Sequence, residues 1–351
     1  MWLANGRALP GTAADEAPTV ERVIAAYWRH AKTVYRTTDG SPSSELACIR
    51  LAISPLRRFY GDWPAADFGP RALVELRDAV CAEPTRFGKP PSRSTVNGYV
   101  RRIKAVFKWA VARELVPPSV HHGLATVDGL RRGRSAARET PPVHPVERKH
   151  VDKVVRRVSP EVGAMIELMW LTGMRVGEVV QMRLADIHRG EHWEYRPAHH
   201  KTQHIGRERV VPLGPKARQV LAPFLKADPA AFLFVPAQAE VRRHAERHLA
   251  AEAPLGEERL ARRRSSNRRR APGDRYTPDS VRRAITRACA DAKIPHWSPH
   301  QLRHAAATRF RREGNLEAAR VLLGHSSPVV TEQHYAEVDR LKARRLMARM
   351  G

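Results

Sequence analysis

The sequence predicts a mainly α-helical protein with a small antiparallel β-sheet, divided into two domains. Its 351 residues are enough for two hydrophobic cores. Before residue 127 the apolar residues recur at helical spacing, whereas strand-like segments occur only between residues 192 and 236. We therefore expect a helical N-terminal domain followed by a mixed α+β domain.

Composition points to a polyanionic partner. The chain has 62 Lys and Arg against 36 Asp and Glu, a formal net charge of +26, and such an excess is typical of proteins that bind nucleic acid. The alternative is a basic proteome in which arginine keeps surfaces soluble. Cys48, Cys81 and Cys289 lack CxxC spacing, which argues against a disulfide framework or a cysteine zinc site. With no signal-peptide core and no apolar run of membrane-spanning length, we expect a cytoplasmic protein.

The N-terminal domain is expected to span residues 20–126, after a flexible tail at 1–19. Three segments with helical periodicity precede a fourth, "STVNGYVRRIKAVFKWAVARELV", which has a continuous apolar stripe. Its basic residues form either a solvated face or a surface for the DNA backbone. The candidates for DNA contact are Arg101, Arg102, Lys104 and Lys108.

Residues 127–150 include the basic, proline-bearing stretch "RRGRSAARETPPVHPVERKH", which predicts a linker. The second domain, 151–351, begins with an apolar helix that breaks at Gly173 and resumes as a short helix. "HWEYRPAHHK" and "RERVVPLG" read as a hairpin, and "AFLFVP" also has strand character. Helices return from Ser280 to the C-terminus.

An insertion at 237–276 contains "RRRSSNRRR", which predicts a disordered or partly helical basic segment. Closely spaced arginines without aromatic neighbours suit contact with phosphates rather than bases. The residues expected to make it are Arg262, Arg263, Arg264, Arg268, Arg269 and Arg270. A tail helix at 336–351 has a narrow apolar stripe, so we expect it to dock on its own domain or on a neighbouring subunit.

Histidine spacing raises the alternative of a metal site. His244 and His248 in "HAERH" stand four residues apart, but the glutamate is at the wrong offset for HExxH and the nearby arginines would repel a metal ion. His300 and His304 share that spacing, with Arg303 between them, and we expect His304 to face the domain core. The sequence favours a site without a metal or another cofactor.

The stretch "SPHQLRHAAATRF" fits an anion-binding site better. His300 and Arg303, three residues apart, share one face of a helix, and a guanidinium can hold two phosphate oxygens with its planar fork. Arg175 follows the Gly173 break at the start of a helix, where we expect backbone N–H groups to assist it. Lys201 stands at the turn of the predicted hairpin.

Four segments together resemble the tyrosine recombinase (phage integrase) family: "LTGMRVGE", "KTQHIGRERVVPL", "HQLRHAAAT" and "LLGHSSPVVTEQHY", in the family's order. The resemblance covers the second domain closely, and the helical domain is more loosely similar to the family's core-binding domain. It implies an N-terminal core-binding domain and an α+β catalytic domain. The site residues it implies are Arg175, Glu178, Lys201, His300, Arg303, His325 and Tyr335.

The resemblance also implies a role for each of these residues. Tyr335 matches the nucleophile that forms a 3′-phosphotyrosine, and Arg175 and Arg303 match the arginines on the scissile phosphate. Lys201 matches the general acid that protonates the departing 5′-oxygen, the two histidines complete the pocket, and Glu178 supports the first arginine. Such an ester conserves the energy of the broken bond, so strands can be rejoined without metal or ATP.

The expected function is site-specific DNA recombination for a mobile element, with a double-stranded recombination site as substrate. The resemblance implies a homotetramer on DNA, associated with the nucleoid when bound, and leaves open whether accessory DNA-bending proteins take part. A type IB-like topoisomerase shares this chemistry, and a non-catalytic DNA-binding regulator is the alternative from another class.

Overall fold

The computed structural model describes residues 17–37, 40–85, 88–200, 203, 206, 208–249, 273–313, 316–324 and 347–348. The chain divides into two units, one up to Pro142 and the other from Val143 onward. Most of the regular structure is helical, and one three-stranded antiparallel sheet lies in the second unit. The predicted fold class is therefore confirmed. None of the described helices is long and apolar enough to cross a membrane.

The described part of the first unit is a bundle of helices: α1 (Val20–Val34), α2 (Ser44–Tyr60), α3 (Pro70–Ala82), α4 (Arg93–Val111) and α5 (Pro118–Ala125). The first four lie where the apolar periodicity predicts them, while the short α5 was not anticipated. The stripe of α4 forms the core, with Val96, Val106 and Phe107 fully buried. Phe107 stacks on Phe68, with their ring centroids 5.0 Å apart.

The first half of the predicted linker packs against α4. Asn97 donates from Nδ2 to the Leu130 carbonyl at 3.0 Å and accepts from the Leu130 N–H at 2.8 Å. Arg93 forms an ion pair with Glu139 at 2.7 Å. Polar side chains hold this segment in place, so its packing against α4 could not be predicted from helical or strand periodicity. The division between the units falls inside the stretch 127–150.

The second unit contains α6 (Arg148–Val155), α7 (Pro160–Thr172), α8 (Val176–Val179), α9 (Pro215–Leu221), α10 (Pro236–Leu249), α11 (Pro278–Asp291), α12 (Pro299–Glu313) and α13 (Leu316–Leu323). Helix α7 is central, packing on α6, α9 and α12. Its Met165, Ile166, Leu168 and Met169 are fully buried, as its almost uninterrupted apolar sequence predicts.

The sheet follows α8 and has the order β1 (Ile187–Arg189), β2 (Trp193–Tyr195), β3 (Val211–Leu213). The pairing of β2 with β3 confirms the predicted hairpin, whereas β1 was not anticipated. Tyr195 lies opposite Ile187 on one side and Val211 on the other, and all three side chains are buried. The Tyr195 hydroxyl donates to the Glu178 carbonyl at 2.6 Å, which attaches the sheet to α8.

The strand expected at 231–236 is wrong. Only an isolated bridge forms there, between Arg183 and Phe232. Leu233 and Phe234 are consecutive and both buried, whereas a half-exposed strand would point them to opposite faces. The chain then enters α10 directly at Pro236.

Helix α10 makes the first part of the predicted 237–276 insertion helical, and residues 250–272, including all six arginines singled out above, lie outside the described residues. The helix is attached to α7 through an ion pair of 3.3 Å between Arg242 Nη1 and Glu161 Oε1. Glu161 is 1% exposed. The tail at 336–351 also lies outside the described residues, apart from 347–348.

Candidate active site

The Gly173 turn places Arg175 at the surface of the second unit. Gly173 ends α7 with φ 68°, a left-handed conformation that glycine adopts without strain. Arg175 then precedes α8, and its Nη1 donates to Glu178 Oε1 at 2.8 Å. Its side chain remains 27% exposed, so the guanidinium is paired yet open to solvent.

Glu178 is the carboxylate on which this turn depends. It is 2% exposed, and its Oε2 accepts from the Arg175 backbone N–H at 2.9 Å. Of the backbone N–H groups expected to assist Arg175, the N–H of Arg175 itself is therefore occupied by Glu178. Burial alone would raise the pKa of Glu178, but the charges of Arg209 and Arg175 and the backbone hydrogen bond hold it below its ordinary value. Glu178 is thus a carboxylate at neutral pH.

Arg209 is a site residue that the sequence reasoning missed. It lies just before β3, is 4% exposed, and its Nε is 3.6 Å from Glu178 Oε2. Its Nη1 donates to the carbonyls of Leu322 at 2.9 Å and Val210 at 3.2 Å. Its only signal in the sequence is its position within the segment "KTQHIGRERVVPL". Its partner Glu178 is distant in the sequence, so no local pattern links the two residues.

Arg303 joins two turns of the second unit. From the interior of α12, its Nη1 donates to the Gly173 carbonyl at 2.8 Å and its Nη2 to the Leu323 carbonyl at 2.5 Å. It is 2% exposed, so the residue expected on the phosphate also binds backbone inside the domain. Gly173 lies two residues before Arg175, and Leu323 two residues before His325.

Two glycines allow the Gly173 turn and the end of α13 to approach their neighbours closely. A Cβ on Gly173 would lie 2.6 Å from Leu323 Cδ2 and 3.2 Å from the Cβ of Ala306. A Cβ on Gly324, whose φ is 63°, would lie 2.9 Å from Arg209 Nη1. Both positions therefore combine a left-handed backbone with close approach of another element, which explains the glycines in "LTGMR" and "LLGHS".

Gln181 fixes the chain leading away from β2. Its Nε2 donates to the His199 carbonyl at 2.6 Å and to the Gly177 carbonyl at 2.9 Å, while its Oε1 accepts from the His199 N–H at 3.2 Å. The amide thus binds both backbone groups of one residue, as a neighbouring antiparallel strand would. Gln181 is 8% exposed and had no sequence signal. Lys201, two residues after His199, lies outside the described residues.

The two histidines of α12 have different environments. His300 is exposed, whereas His304 is 6% exposed, which confirms the prediction that His304 faces the core. Their rings meet edge to face with centroids 4.9 Å apart. His325 and Tyr335 lie outside the described residues, as Lys201 does. The structure therefore brings together Arg175, Glu178 and Arg303 from the expected set and adds Arg209.

The basic residues of α4 in the first unit divide into two pairs. Arg102 makes a bidentate bond to Glu45, at 2.7 and 2.8 Å, and Lys104 donates to the Val127 carbonyl. Burial lowers the pKa of Lys104. Both cations therefore hold the bundle together, while Arg101 and Lys108 are exposed.

The model of the phage integrase family matches residues 157–342, the region that contains every element of this site. The chain belongs to the phage integrase family. Tyrosine recombinase XerC of Bifidobacterium longum (strain DJO10A) is 32% identical over 185 residues, which are 52% of this chain and 45% of that protein. Tyrosine recombinase XerC of Corynebacterium efficiens is 28% identical over 267 residues, 71% of this chain and 68% of that protein. The first of these matches spans about half the length of its curated relative.

Solved structures of integrases share the fold. The Tn1549 transposon integrase in complex with circular intermediate DNA matches with a TM-score of 0.63 and 18% identity, over 94% of this chain and 99% of that chain. A lambda integrase dimer bound to a COC′ core site matches with a TM-score of 0.58 and 16% identity, over 92% and 97%. A lambda integrase tetramer bound to a Holliday junction matches at 0.56 and 18%, over 95% and 83%. At these identities the likeness concerns the fold.

Proposed function

We propose that this phage integrase family protein is a site-specific DNA recombinase, which cleaves and rejoins DNA through a 3′-phosphotyrosine intermediate. The observation that carries the proposal is the joint placement of Arg175 and Arg303 at the Gly173 turn, with Glu178 holding Arg175. Attack on a phosphodiester builds negative charge on the non-bridging oxygens, and preorganised guanidiniums stabilise that charge without reorganising during the reaction.

In the proposed reaction the Tyr335 hydroxyl oxygen attacks the phosphorus and gives its proton to a pocket histidine, and the bond to the 5′-oxygen breaks. Lys201 supplies the proton to that oxygen, since an alkoxide is a poor leaving group. Arg175 and Arg303 bind the non-bridging oxygens, and His300 and His325 complete the pocket. Neither metal nor ATP enters this scheme.

DNA binding is proposed to use cations on both units. On α4 the exposed Arg101 and Lys108 are the stronger candidates, because Arg102 and Lys104 are engaged within the bundle. The six arginines between residues 262 and 270 are proposed to contact phosphates, which predicts weaker binding to all sequences when they become glutamine.

Assembly is proposed to be a homotetramer on a double-stranded recombination site, in line with the lambda integrase tetramer of the same fold. The tail 336–351 would join neighbouring protomers, so removal of the residues after Val338 should abolish recombination and leave single-site binding. We also propose that the protein acts for a mobile element and lies in the cytoplasm, associated with the nucleoid when bound to DNA.

The experiment that tests this function uses a nicked suicide substrate, from which the cleaved fragment diffuses away and leaves the enzyme trapped. We expect a covalent protein–DNA adduct with the natural protein and none with Tyr335→Phe, which should still bind the duplex. Strand exchange between two duplexes then separates a recombinase from a topoisomerase. Absence of an adduct from the natural protein, with DNA binding intact, would favour a regulator.

A further inference from the structure

Two arginines share one buried carboxylate beside the Gly173 turn. Glu178 Oε1 accepts from Arg175 Nη1 at 2.8 Å, and Glu178 Oε2 lies 3.6 Å from Arg209 Nε. If Glu178 faced Arg175 alone, the pair would be neutral. With Arg209 present, the three groups carry two positive charges and one negative charge.

Two of these three charges are shielded from water. Glu178 and Arg209 are 2% and 4% exposed, and charges interact more strongly where solvent screening is weak. Burial lowers the pKa of the neighbouring His200; the charge of Glu178 opposes this lowering, while the charges of Arg209 and Arg175 act in the same direction as burial.

The guanidinium of Arg209 also has donor atoms that no hydrogen bond among the described residues uses. Among the described residues, neither its Nε nor its Nη2 has a hydrogen-bond acceptor, although both atoms are buried. Buried donors are normally hydrogen-bonded, and a buried cation normally has its own counter-charge. Arg209 instead shares its carboxylate with a second, partly exposed cation.

We propose that Arg209 is a positioning residue for phosphate binding, resting on the proposed function that assigns Arg175 to the scissile phosphate. Arg209 draws on the charge of Glu178 and so prevents that carboxylate from neutralising Arg175. The Arg175 guanidinium is held in place by Glu178 and keeps its attraction for a phosphate oxygen. The bond from Arg209 to the Leu322 carbonyl keeps the end of α13 against the same group.

The test replaces Arg209 by methionine, which keeps an unbranched chain and removes the charge. On the nicked substrate we expect Arg209→Met to form the covalent adduct about 100-fold more slowly, the size of effect seen when one preorganised donor is removed. Binding to the same DNA should change little, because many other cations hold the backbone. In the double variant Arg209→Met/Glu178→Gln, Arg175 is the one charged group left of the three, so the group again carries a single positive charge. We expect this double variant to form the adduct at least about tenfold faster than Arg209→Met.

If Arg209 only stabilises the fold, the second substitution cannot speed up the reaction, because it alters another buried group. The double variant would then form the adduct no faster than Arg209→Met, and this result would overturn the proposal. Arg218 offers a matched control, because it too donates to a carbonyl, that of Leu213 at 2.9 Å, from outside the site. Arg218→Met should leave adduct formation unchanged.

A substrate with a methylphosphonate at the scissile position adds a second readout. This substrate lacks one negatively charged oxygen, so its cleavage should depend less on Arg209. The difference in the rate of adduct formation between Arg209→Met and the natural protein should therefore be smaller on the methylphosphonate. An equal deficit on both substrates contradicts the proposal.

Thermal melting checks that each variant folds. If Arg209→Met does not fold, Arg209→Lys carries the test, because it retains the charge and must keep the natural preference between the two substrates; a changed preference contradicts the proposal.

Failure of the recombinase function and failure of the role of Arg209 give different results on the nicked substrate. Absence of an adduct from the natural protein contradicts the recombinase function, and this inference with it. An adduct from the natural protein without faster reaction of the double variant contradicts the role of Arg209 alone.

Discussion

Arg303 donates to the carbonyl oxygen of Gly173 across 2.8 Å, and this bond ties α12 to the turn that presents Arg175. A second bond from the same guanidinium, to the Leu323 carbonyl, ties α12 to the end of α13. Arg303 therefore organises the backbone around the site in addition to its proposed contact with phosphate. Substitutions at Arg303 should affect both stability and cleavage.

Arg303→Ala should lower the free energy of unfolding by about 3 kcal/mol, because two bonds from a charged donor are removed and two carbonyls are left inside the domain. It should also abolish adduct formation while keeping most DNA binding. Urea unfolding and the nicked substrate measure the two effects. Arg309→Ala is the control, since Arg309 donates to the carbonyls of Trp170 and Leu171 from the same helix; it should lose stability and still cleave. Cleavage by Arg303→Ala near the natural rate would refute its role on the phosphate.

Much of the scaffold could be predicted because it follows from local periodicity. The apolar stripe of α4, the break at Gly173 and the β2–β3 hairpin all have signals within a few residues. The partners of buried polar groups have no such signal. Arg209 meets Glu178 only through the fold, and Gln181 meets His199 only where the chain returns from β2. For the same reason the sequence could not tell that Arg102 binds Glu45 while Arg101 faces solvent.

The division of the α4 cations predicts separable effects on DNA binding. The double variant Arg101→Gln/Lys108→Gln should weaken binding to every sequence and flatten the plot of log affinity against log salt by about two units, near one for each phosphate that is no longer neutralised. Arg102→Gln should leave that slope unchanged and lower the free energy of unfolding by about 1 kcal/mol, through removal of the bond to Glu45. Equal salt slopes for the natural protein and the double variant would exclude this face from the DNA interface.

Gln181 offers a prediction about leaving-group protonation. Gln181→Ala should release the peptide at His199, two residues before the proposed general acid Lys201, and slow cleavage of ordinary DNA. A scissile linkage with sulfur in place of the 5′-oxygen needs no proton, because a thiolate is a good leaving group. On that substrate Gln181→Ala should cleave at the natural rate. A deficit that persists with sulfur would show that Gln181 acts elsewhere.

Glu178 predicts a specific response to acid. Its pKa in the folded protein is lowered, whereas in the unfolded chain it should be near the ordinary value of about 4.3. The stabilisation it provides is therefore complete above the unfolded pKa and is lost as pH falls through the folded pKa. Melting temperatures between pH 7 and pH 3 should fall more for the natural protein than for Glu178→Gln. Parallel curves would contradict this linkage.

The proposed mechanism requires that Tyr335 become covalently joined to DNA, and identification of the joined residue tests this directly. The adduct from a nicked substrate is digested with nuclease and protease, and mass spectrometry locates the nucleotide-bearing peptide. We predict a single modified residue, Tyr335, in the peptide containing "TEQHYAEVDR". Tyr195 provides an internal comparison, since it is fully buried, donates to the Glu178 carbonyl and has a pKa raised by burial. Nucleotide on any residue other than Tyr335, or an adduct that persists in Tyr335→Phe, would contradict the account.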